Sequence, residues 1–457
     1  MPRPVILFFI GAGKEDRAVN DYKVGFIILN DWRVQVVSKE KNWAGNYTYN
    51  ALEYLYPENV EQVREMVVRS SKLRVLGSRH SFNGIADSHA SLLSLQKMNR
   101  VLELDMANNR VKVEGGIRYG DLGEYLHREG YALHNLASLP HITIAGAIAT
   151  ATHGSGDRNG NLATAVYALE IVKADGTIAV FTRDDEDGKF NGAVVGLGAL
   201  GVVTAITLDI QPSFEISQYI YDLLPLAQLE NNFDAIYSSA YSVSLFTDWK
   251  GSSINQVWQK KLVQEGSAGE AQAEFYGASL AEAKRHPVPD QTAENCSEQF
   301  GVPGPWHERL PHFRMDFTPS AGEELQTEYF VAREHAYEAI CAIRELGEQI
   351  APLLFISEIR TIAADQLWLS PSYRKDSVGF HFTWKPNWEA VKQVLPLIEA
   401  KLEKFNAQPH WGKVFTMPAE RVQALFGKLP EFRQLMLECD PDGKFRNDFV
   451  NEYVMTK

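Results

Sequence analysis

The sequence predicts an α+β fold in two domains, and three observations carry that prediction. Up to about Pro212, short apolar runs of strand character alternate irregularly with amphipathic stretches, without the regular strand-helix repeat of a doubly wound sheet. Glycine-rich segments recur through this half and cease near Pro212, where the composition changes. At 457 residues the chain is also long enough for two or three domains with ample core. The divisions expected are an extension of uncertain structure over residues 1–41, a first domain over 42–214, an inserted second domain over 215–400, and a segment over 401–457 that returns to the first domain's site.

Residues 1–41 hold apolar bursts at 5–10 and 24–29, but no helical or strand period joins them to the chain from residue 42 onward. They are expected to lie outside the fold, from an upstream translation start, with an added β-element as the alternative. Residues 57–70 place Val60, Val63, Met66 and Val67 on one helical face, with Glu58, Glu61 and Glu65 early and Arg69 and Lys72 late, as the helix dipole favours. A short buried strand comes next, at 73–76. Residues 102–105 and 110–114 read as a hairpin through Asn108 and Asn109, and 119–128 as a helix stopped by Gly130. A second hairpin turns at Asp175 and Gly176.

The second domain is expected to contain a strand at 218–222, a polar irregular stretch at 284–305 and a long helix near 333–350. Two of its short strands carry chemistry. In 355–361 a period of two puts Glu358 and Arg360 on one face, and in 380–385 it puts His381, Thr383 and Lys385 together with the aromatics opposite. The plain alternative is a pair of edge strands with solvated outer faces.

Three glycine-bearing stretches can bring backbone close to a ligand. Residues 73–76 end on Gly77, Ser78, Arg79, His80 and Ser81, whose N–H groups can point at an anion. From Ala145 to Gly156 small residues dominate, so little bulk keeps a ligand off the backbone. The apolar run at 194–203 suits packing against a flat ring. None is a G-x-G-x-x-G between strand and helix, which disfavours a Rossmann nicotinamide site. The alternatives are an ordinary turn with a solvated His80, and a tightly packed core turn at 194–203.

A formal charge of −13 argues against nucleic acid or an anionic membrane as partner, and a neutral substrate is compatible with it. The cysteines, Cys296, Cys341 and Cys439, are odd in number and widely spaced, so neither a metal pattern nor a disulfide framework is expected and a cytoplasmic location is the default. No apolar stretch approaches a membrane span, and residues 5–10 are too short for a signal segment.

The run from Gly77 to Asn83, Ala137 and Ser138 with Thr152, His153, Gly154, Ser155 and Gly156, and His410, Trp411, Gly412 and Lys413 resemble the aldonolactone and alditol oxidases, flavoproteins related to vanillyl-alcohol oxidase. Asn42 to Tyr47, Ser357, Glu358 and Arg360, and His381, Thr383 and Trp384 look most like the alditol oxidases within that group. The resemblance covers residue 42 to the C-terminus. It implies an FAD domain of the p-cresol-methylhydroxylase type with an inserted substrate (cap) domain, and oxidation of a primary hydroxyl of xylitol, sorbitol or a similar alditol to an aldose, with O2 reduced to H2O2. The partners implied are a small polyol and O2, and a monomer is expected.

By the same resemblance His80 bonds covalently to the flavin. Gly77, Ser78, Arg79 and Ser81, with Gly146 and Thr150, Ala151, Thr152 and His153, hold the pyrophosphate. Thr143, Val202 and His410 complete the flavin site, and Ser138 stands in it as well. Ser138, Glu358, Arg360 and Thr383 bind substrate hydroxyls, and Lys413 lies at the reacting end. A neighbouring cation and partial burial would lower the pKa of Lys413 toward a useful range, and His381 is the competing base. The second motif of the closing segment, residues 440–447, is assigned to packing. An aldonolactone oxidase or dehydrogenase on the same scaffold, and a flavin-free sugar-binding protein, are the alternative readings.

Overall fold

Three short parallel strands open the first domain: Glu53–Leu55, Ser91–Leu93 in the middle, and Leu73–Val75. The computed structural model describes residues 27–30, 33–36, 39–263, 271–317 and 323–455. Parallel strands need a crossover, and the helix Val60–Arg69 supplies the first one. The Asn59 side chain caps its first turn by accepting from the Gln62 N–H, and Val63 and Val67 bury its apolar face. Leu73 meets them in a small core shared with Val172, Val202 and Phe445. The Gly77 loop therefore leaves the carboxyl end of a parallel strand, where open sheets commonly bind ligands.

Both predicted hairpins fall in one antiparallel sheet of five strands, ordered Ile178–Thr182, Val166–Val172, Val202–Asp209, Arg110–Glu114, Val101–Asp105. Gly176 takes the left-handed φ of 81° that its turn demands. The helix Tyr119–Arg128 ends as expected, with Gly130 at φ 84° and its N–H on the His127 carbonyl.

The second domain is organised by a large antiparallel sheet running Glu274–Phe275, Ala278–Leu280, Glu215–Pro225, Ser253–Leu262, Ser242–Thr247, Leu354–Ile362, Ser377–Trp384, Leu325–Ala332, Gln408–Pro409. The strand expected at 218–222 is thus the middle of a longer one. The two strands with chemical faces are not edge strands. They lie beside each other inside the sheet, and the sides opposite their polar residues pack Ile359, Phe380, Phe382 and Trp384 into a core with Ile340, Val391, Leu395 and Ile398 of the covering helices. Lys385 falls past the end of its strand, is exposed, and donates to the Pro352 carbonyl instead of joining that face.

The long helix expected near 333–350 is broken into Ala336–Arg344 and Gly347–Ile350, with a 3-10 turn ahead of them. At Gly347 the backbone passes so close to the Trp249 carbonyl that a Cβ would overlap it, so helix and neighbouring loop meet only where there is no side chain.

In the closing segment Gln408–Pro409 pairs with Leu325–Ala332, and the chain then turns through His410 to Lys413. Further on, buried Asp440 accepts from the Lys444 and Phe445 N–H groups, while Arg74 donates to the Phe445 carbonyl. The packing role expected of residues 440–447 is what they perform. Of the N-terminal bursts, residues 5–10 and 24–26 lie outside the described residues; Ile27–Asn30 pairs with Arg33–Val36 in a two-stranded ribbon.

Candidate active site

The loop after Leu73–Val75 is held from both sides. Trp43 N–H donates to the Arg79 carbonyl at 2.8 Å, and the Asn42 and Asn46 amides donate to the Ser81 and Phe82 carbonyls. Arg79 adopts a left-handed φ of 65°, a backbone conformation found in anion-binding turns. From the far end of the chain, Gly412 accepts from Phe82 N–H, and Asn83 donates to the Trp411 and Lys413 carbonyls at 2.9 and 2.8 Å. One asparagine thus ties the phosphate-type loop to the turn that carries Lys413.

That loop borders a cavity of about 910 Å³ lined also by Gly146, Thr150 and Thr152, by Gly115 and Gly116, and by residues 196–198, 200 and 201. The lining fits a large anionic and planar group. At Gly77 and Gly146 a Cβ would stand 2.7 and 2.9 Å from Thr143 Oγ1, and that buried hydroxyl has no hydrogen-bond partner of its own. Ser78 Oγ accepts from Thr143 N–H at 3.0 Å, locking the first two glycine-bearing segments together.

His80 is the clearest orphan. Its ring stacks on Trp43 at 5.2 Å, and neither buried ring nitrogen has a hydrogen-bond partner. Burial, reinforced by His141 and Lys413 and opposed by the Ser78 backbone, lowers its pKa to about 4, so the ring is neutral at working pH. A buried imidazole left without partners calls for an explanation, and a bond to a ligand is one.

Facing these loops is the polar side of the large sheet. Register sets Glu358, His381 and Glu328 in one row across three adjacent strands. Glu328 Oε1 accepts from Arg360 Nη2 at 2.8 Å and lies 3.1 Å from His153 Nε2, while its Oε2 stands 3.5 Å from His381 Nδ1 and 3.9 Å from Lys413 Nζ. Glu358 pairs with His312 Nε2 at 2.7 Å and lies 3.6 Å from Arg360 Nε. Arg360 reaches Ser138 Oγ at 3.4 Å, and His381 reaches Thr383 Oγ1 at 3.2 Å. Lys413 Nζ bonds Gln326 Oε1 and lies 3.3 Å from His381 Nδ1, so it points into the site and does not snorkel outward.

Burial opposes ionisation of Glu328 and Glu358, but the His153 ring and the Arg360 guanidinium beside the first, and the Arg360 guanidinium and the His312 ring beside the second, hold both well below the carboxylate range. Burial lowers His381 to about 4, with Lys413 adding to the effect, and lowers Lys413 to about 8 against the pull of Glu328. Two carboxylates thus face one guanidinium and one ammonium, a balance suited to an uncharged, hydroxyl-rich ligand.

The cavity brings together Gly77, Ser78, Arg79, His80, Ser81, Ser138, Thr143, Gly146, Thr150, Thr152, His153, Glu358, Arg360, His381, Thr383, His410 and Lys413. Ala151 and Val202 stand apart. Their side chains are buried in the two cores, and beside them Thr150, Thr152, Gly201 and Val203 face the cavity. Sequence reasoning missed Glu328, the hub of the network, together with Gln326 and His312. The alternation of Gln326 and Glu328 in Leu325–Ala332 is the same signal that marks the Glu358 and His381 strands, and would have found two of them.

Known proteins resemble this chain in both sequence and fold. Residues 51–182 match the FAD binding domain family and residues 321–453 match the D-arabinono-1,4-lactone oxidase family. An alditol oxidase from a Streptomyces species is 46% identical over 90% of this chain and 98% of its own. Mouse L-gulonolactone oxidase is 26% identical over 90% and 97%. Among solved structures, cholesterol oxidase from B. sterolicum superposes with a TM-score of 0.72 at 13% identity, over 91% of this chain and 96% of that one. A carbohydrate oxidase from Microdochium nivale does so with 0.70 at 14%, over 91% and 94%. The fold is therefore the two-domain FAD fold of the vanillyl-alcohol oxidase type, and the chain belongs to the alditol oxidase family within its aldonolactone oxidase branch.

Proposed function

We propose that this chain oxidises a primary hydroxyl of an alditol, xylitol, sorbitol or a similar polyol, to the aldose, with O2 reduced to hydrogen peroxide. The observation that carries the reading is a wall bearing Glu328, Glu358, Arg360, His381, Thr383 and Lys413 set opposite glycine-rich loops and an orphaned His80 in one cavity. FAD, when bound, supplies the acceptor for the carbinol hydride and passes the electrons to O2. Gly77, Ser78, Arg79, Ser81, Gly146, Thr150, Thr152 and His153 would hold its pyrophosphate, with Thr143 and His410 beside the rest of the group and His80 as the covalent attachment.

The protein's task is to bind the polyol and move one proton. A polyol offers only hydroxyls, so every buried polar group facing it needs a partner when it is bound. Ser138, Glu358 and Thr383 serve hydroxyls beyond the reacting carbon. Arg360, charged at any working pH, stabilises developing alkoxide charge by donating hydrogen bonds. Lys413 takes the hydroxyl proton, and its lowered pKa near 8 leaves a usable fraction neutral. His381 suits this task less well, because Nε2 is engaged by Thr383 and Nδ1 faces Lys413. The free thiols of Cys296, Cys341 and Cys439 accord with a cytoplasmic enzyme.

Two measurements test the reading. Acid precipitation should give a yellow, fluorescent pellet, since a covalent flavin stays with the denatured chain; a colourless pellet removes His80 from its role. Peroxide release should be fastest on xylitol or sorbitol. A clear preference for gulonolactone would move the enzyme to the lactone oxidases, and no release on any of them would overturn the oxidase reading.

A further inference from the structure

Behind the substrate wall lies a buried chain of side chains that the proton transfer does not use. Lys260, on the strand Ser253–Leu262, is 1% exposed and, among the described residues, has no carboxylate in hydrogen-bond contact. Its Nζ donates to the Leu310 carbonyl, to the Pro311 carbonyl at 3.0 Å, and lies 3.2 Å from His312 Nδ1. An ammonium has three N–H donors, and here it meets three acceptors. The opposite side of the imidazole, Nε2, stands 2.7 Å from Glu358 Oε1. Trp258 and Phe246 pack edge-on against that ring at 5.2 and 5.5 Å, which restrains it from flipping.

We propose that Lys260 and His312 are positioning residues for the polyol. Lys260 donates to His312 Nδ1, which forces the imidazole proton onto Nε2, and that N–H aims the Glu358 carboxylate at the substrate. The Glu358 carboxylate also favours a proton on Nε2, and the Lys260 N–H excludes the competing Nδ1–H tautomer, in which a bare Nε2 lone pair would face a carboxylate oxygen at hydrogen-bond distance. The same loop acts on a second binding residue, because the His312 and Phe313 N–H groups both donate to the Ser138 carbonyl, at 3.1 and 3.3 Å. One lysine therefore sets the tautomer behind Glu358 and anchors the backbone that places Ser138. Burial lowers the pKa of Lys260 to about 7, against the pull of Glu358, and either the ammonium or the neutral amine has an N–H to give His312 Nδ1.

The inference rests on the alditol reading for its effect on substrate, so the test has an arm independent of turnover. ¹⁵N NMR of histidine-labelled holoenzyme, with the His312 signals assigned by their loss in His312→Gln, should show an Nε2–H tautomer in wild type and a mixed or inverted one in Lys260→Met. An unchanged tautomer in Lys260→Met overturns the proposal.

The kinetic arm compares a long and a short substrate. In Lys260→Met and His312→Leu, KM for xylitol should rise about 10- to 100-fold with kcat within about 3-fold, since one charge-assisted contact is misaimed. KM for 1,2-propanediol, which lacks the distal hydroxyls, should hardly move, and flavin content and Tm report that the fold survives. His312→Gln, whose amide can donate to Glu358 from the same place, should recover most of the loss seen in His312→Leu. Equal losses on both substrates, or a fall in kcat with KM constant, would mean a merely structural role. If wild type oxidises no alditol while the tautomer responds as expected, the substrate reading fails and the Lys260–His312 coupling stands.

Discussion

The two walls of the cavity are made differently. On the cofactor side the contacts come from backbone and small residues in a few continuous segments, with Gly77, Gly115, Gly116, Gly146, Gly196, Gly198 and Gly201 all on the lining. On the polyol side they come from side chains of separate elements: Ser138 from the loop after Tyr131–Ala132, Glu328 from one strand, Arg360 from another, His381 from a third, and Lys413 from the closing turn. A backbone-built wall tolerates the loss of a side chain but not the gain of one. A side-chain wall has the opposite weakness, because each charged member is desolvated and kept in place by the others.

The largest effect expected is therefore from adding one methyl group. Gly116→Ala would put a Cβ into the Leu95 carbonyl, which is backbone and has no room to move aside. The outcome should be loss of the folded flavoprotein, read as soluble yield and flavin absorbance. A soluble variant with normal flavin would mean that this wall yields more than its geometry implies.

Next comes Lys413→Met, which removes the proton acceptor proposed above. Flavin reduction by the preferred alditol should slow on the order of 100-fold or more, with a much smaller change in KM, as general-base contacts typically contribute that much. Stopped-flow absorbance measures it. The wild-type rate should climb as pH rises through about 8, because burial lowers the lysine pKa to that value and only the neutral amine accepts a proton. The climb should be absent in the variant. Reduction at the wild-type rate in Lys413→Met, with a slow His381→Ala, passes the base to His381.

A smaller loss is expected for Glu358→Gln, where shape is kept and charge removed. KM should rise about 10-fold or more with kcat largely preserved, the value of one charge-assisted hydrogen bond to a hydroxyl remote from the reacting carbon. A fall in kcat with KM constant would instead place Glu358 at the reacting end.

The smallest effect should come from His80→Ala. Phosphate contacts proposed for the Gly77 loop would come from its backbone, so native protein should retain flavin and release it only on denaturation, unlike wild type. Desalting and then acid precipitation show this directly. Protein that emerges from the column without flavin would show that the side chain, and not the loop, holds the group.

The same division separates local from distant information in the chain. The amphipathic helix at Val60–Arg69, both hairpins, the Gly130 stop and the Gly77 loop depend on neighbours within a few positions, and all appear where expected. The period of two paired Glu358 with Arg360 and His381 with Thr383 for the same reason. Whether those faces met water or a cavity depended on which strands lie beside them, and so did the hub, since Glu328 becomes a hub only when register sets it beside His381 and within reach of His153, Arg360 and Lys413. The close approach at Gly347 likewise depends on the distant Trp249 loop. Local periodicity determined each element and its polar face. Partners, burial and the resulting pKa values come from contacts between segments far apart in the chain, and those only the tertiary structure decided.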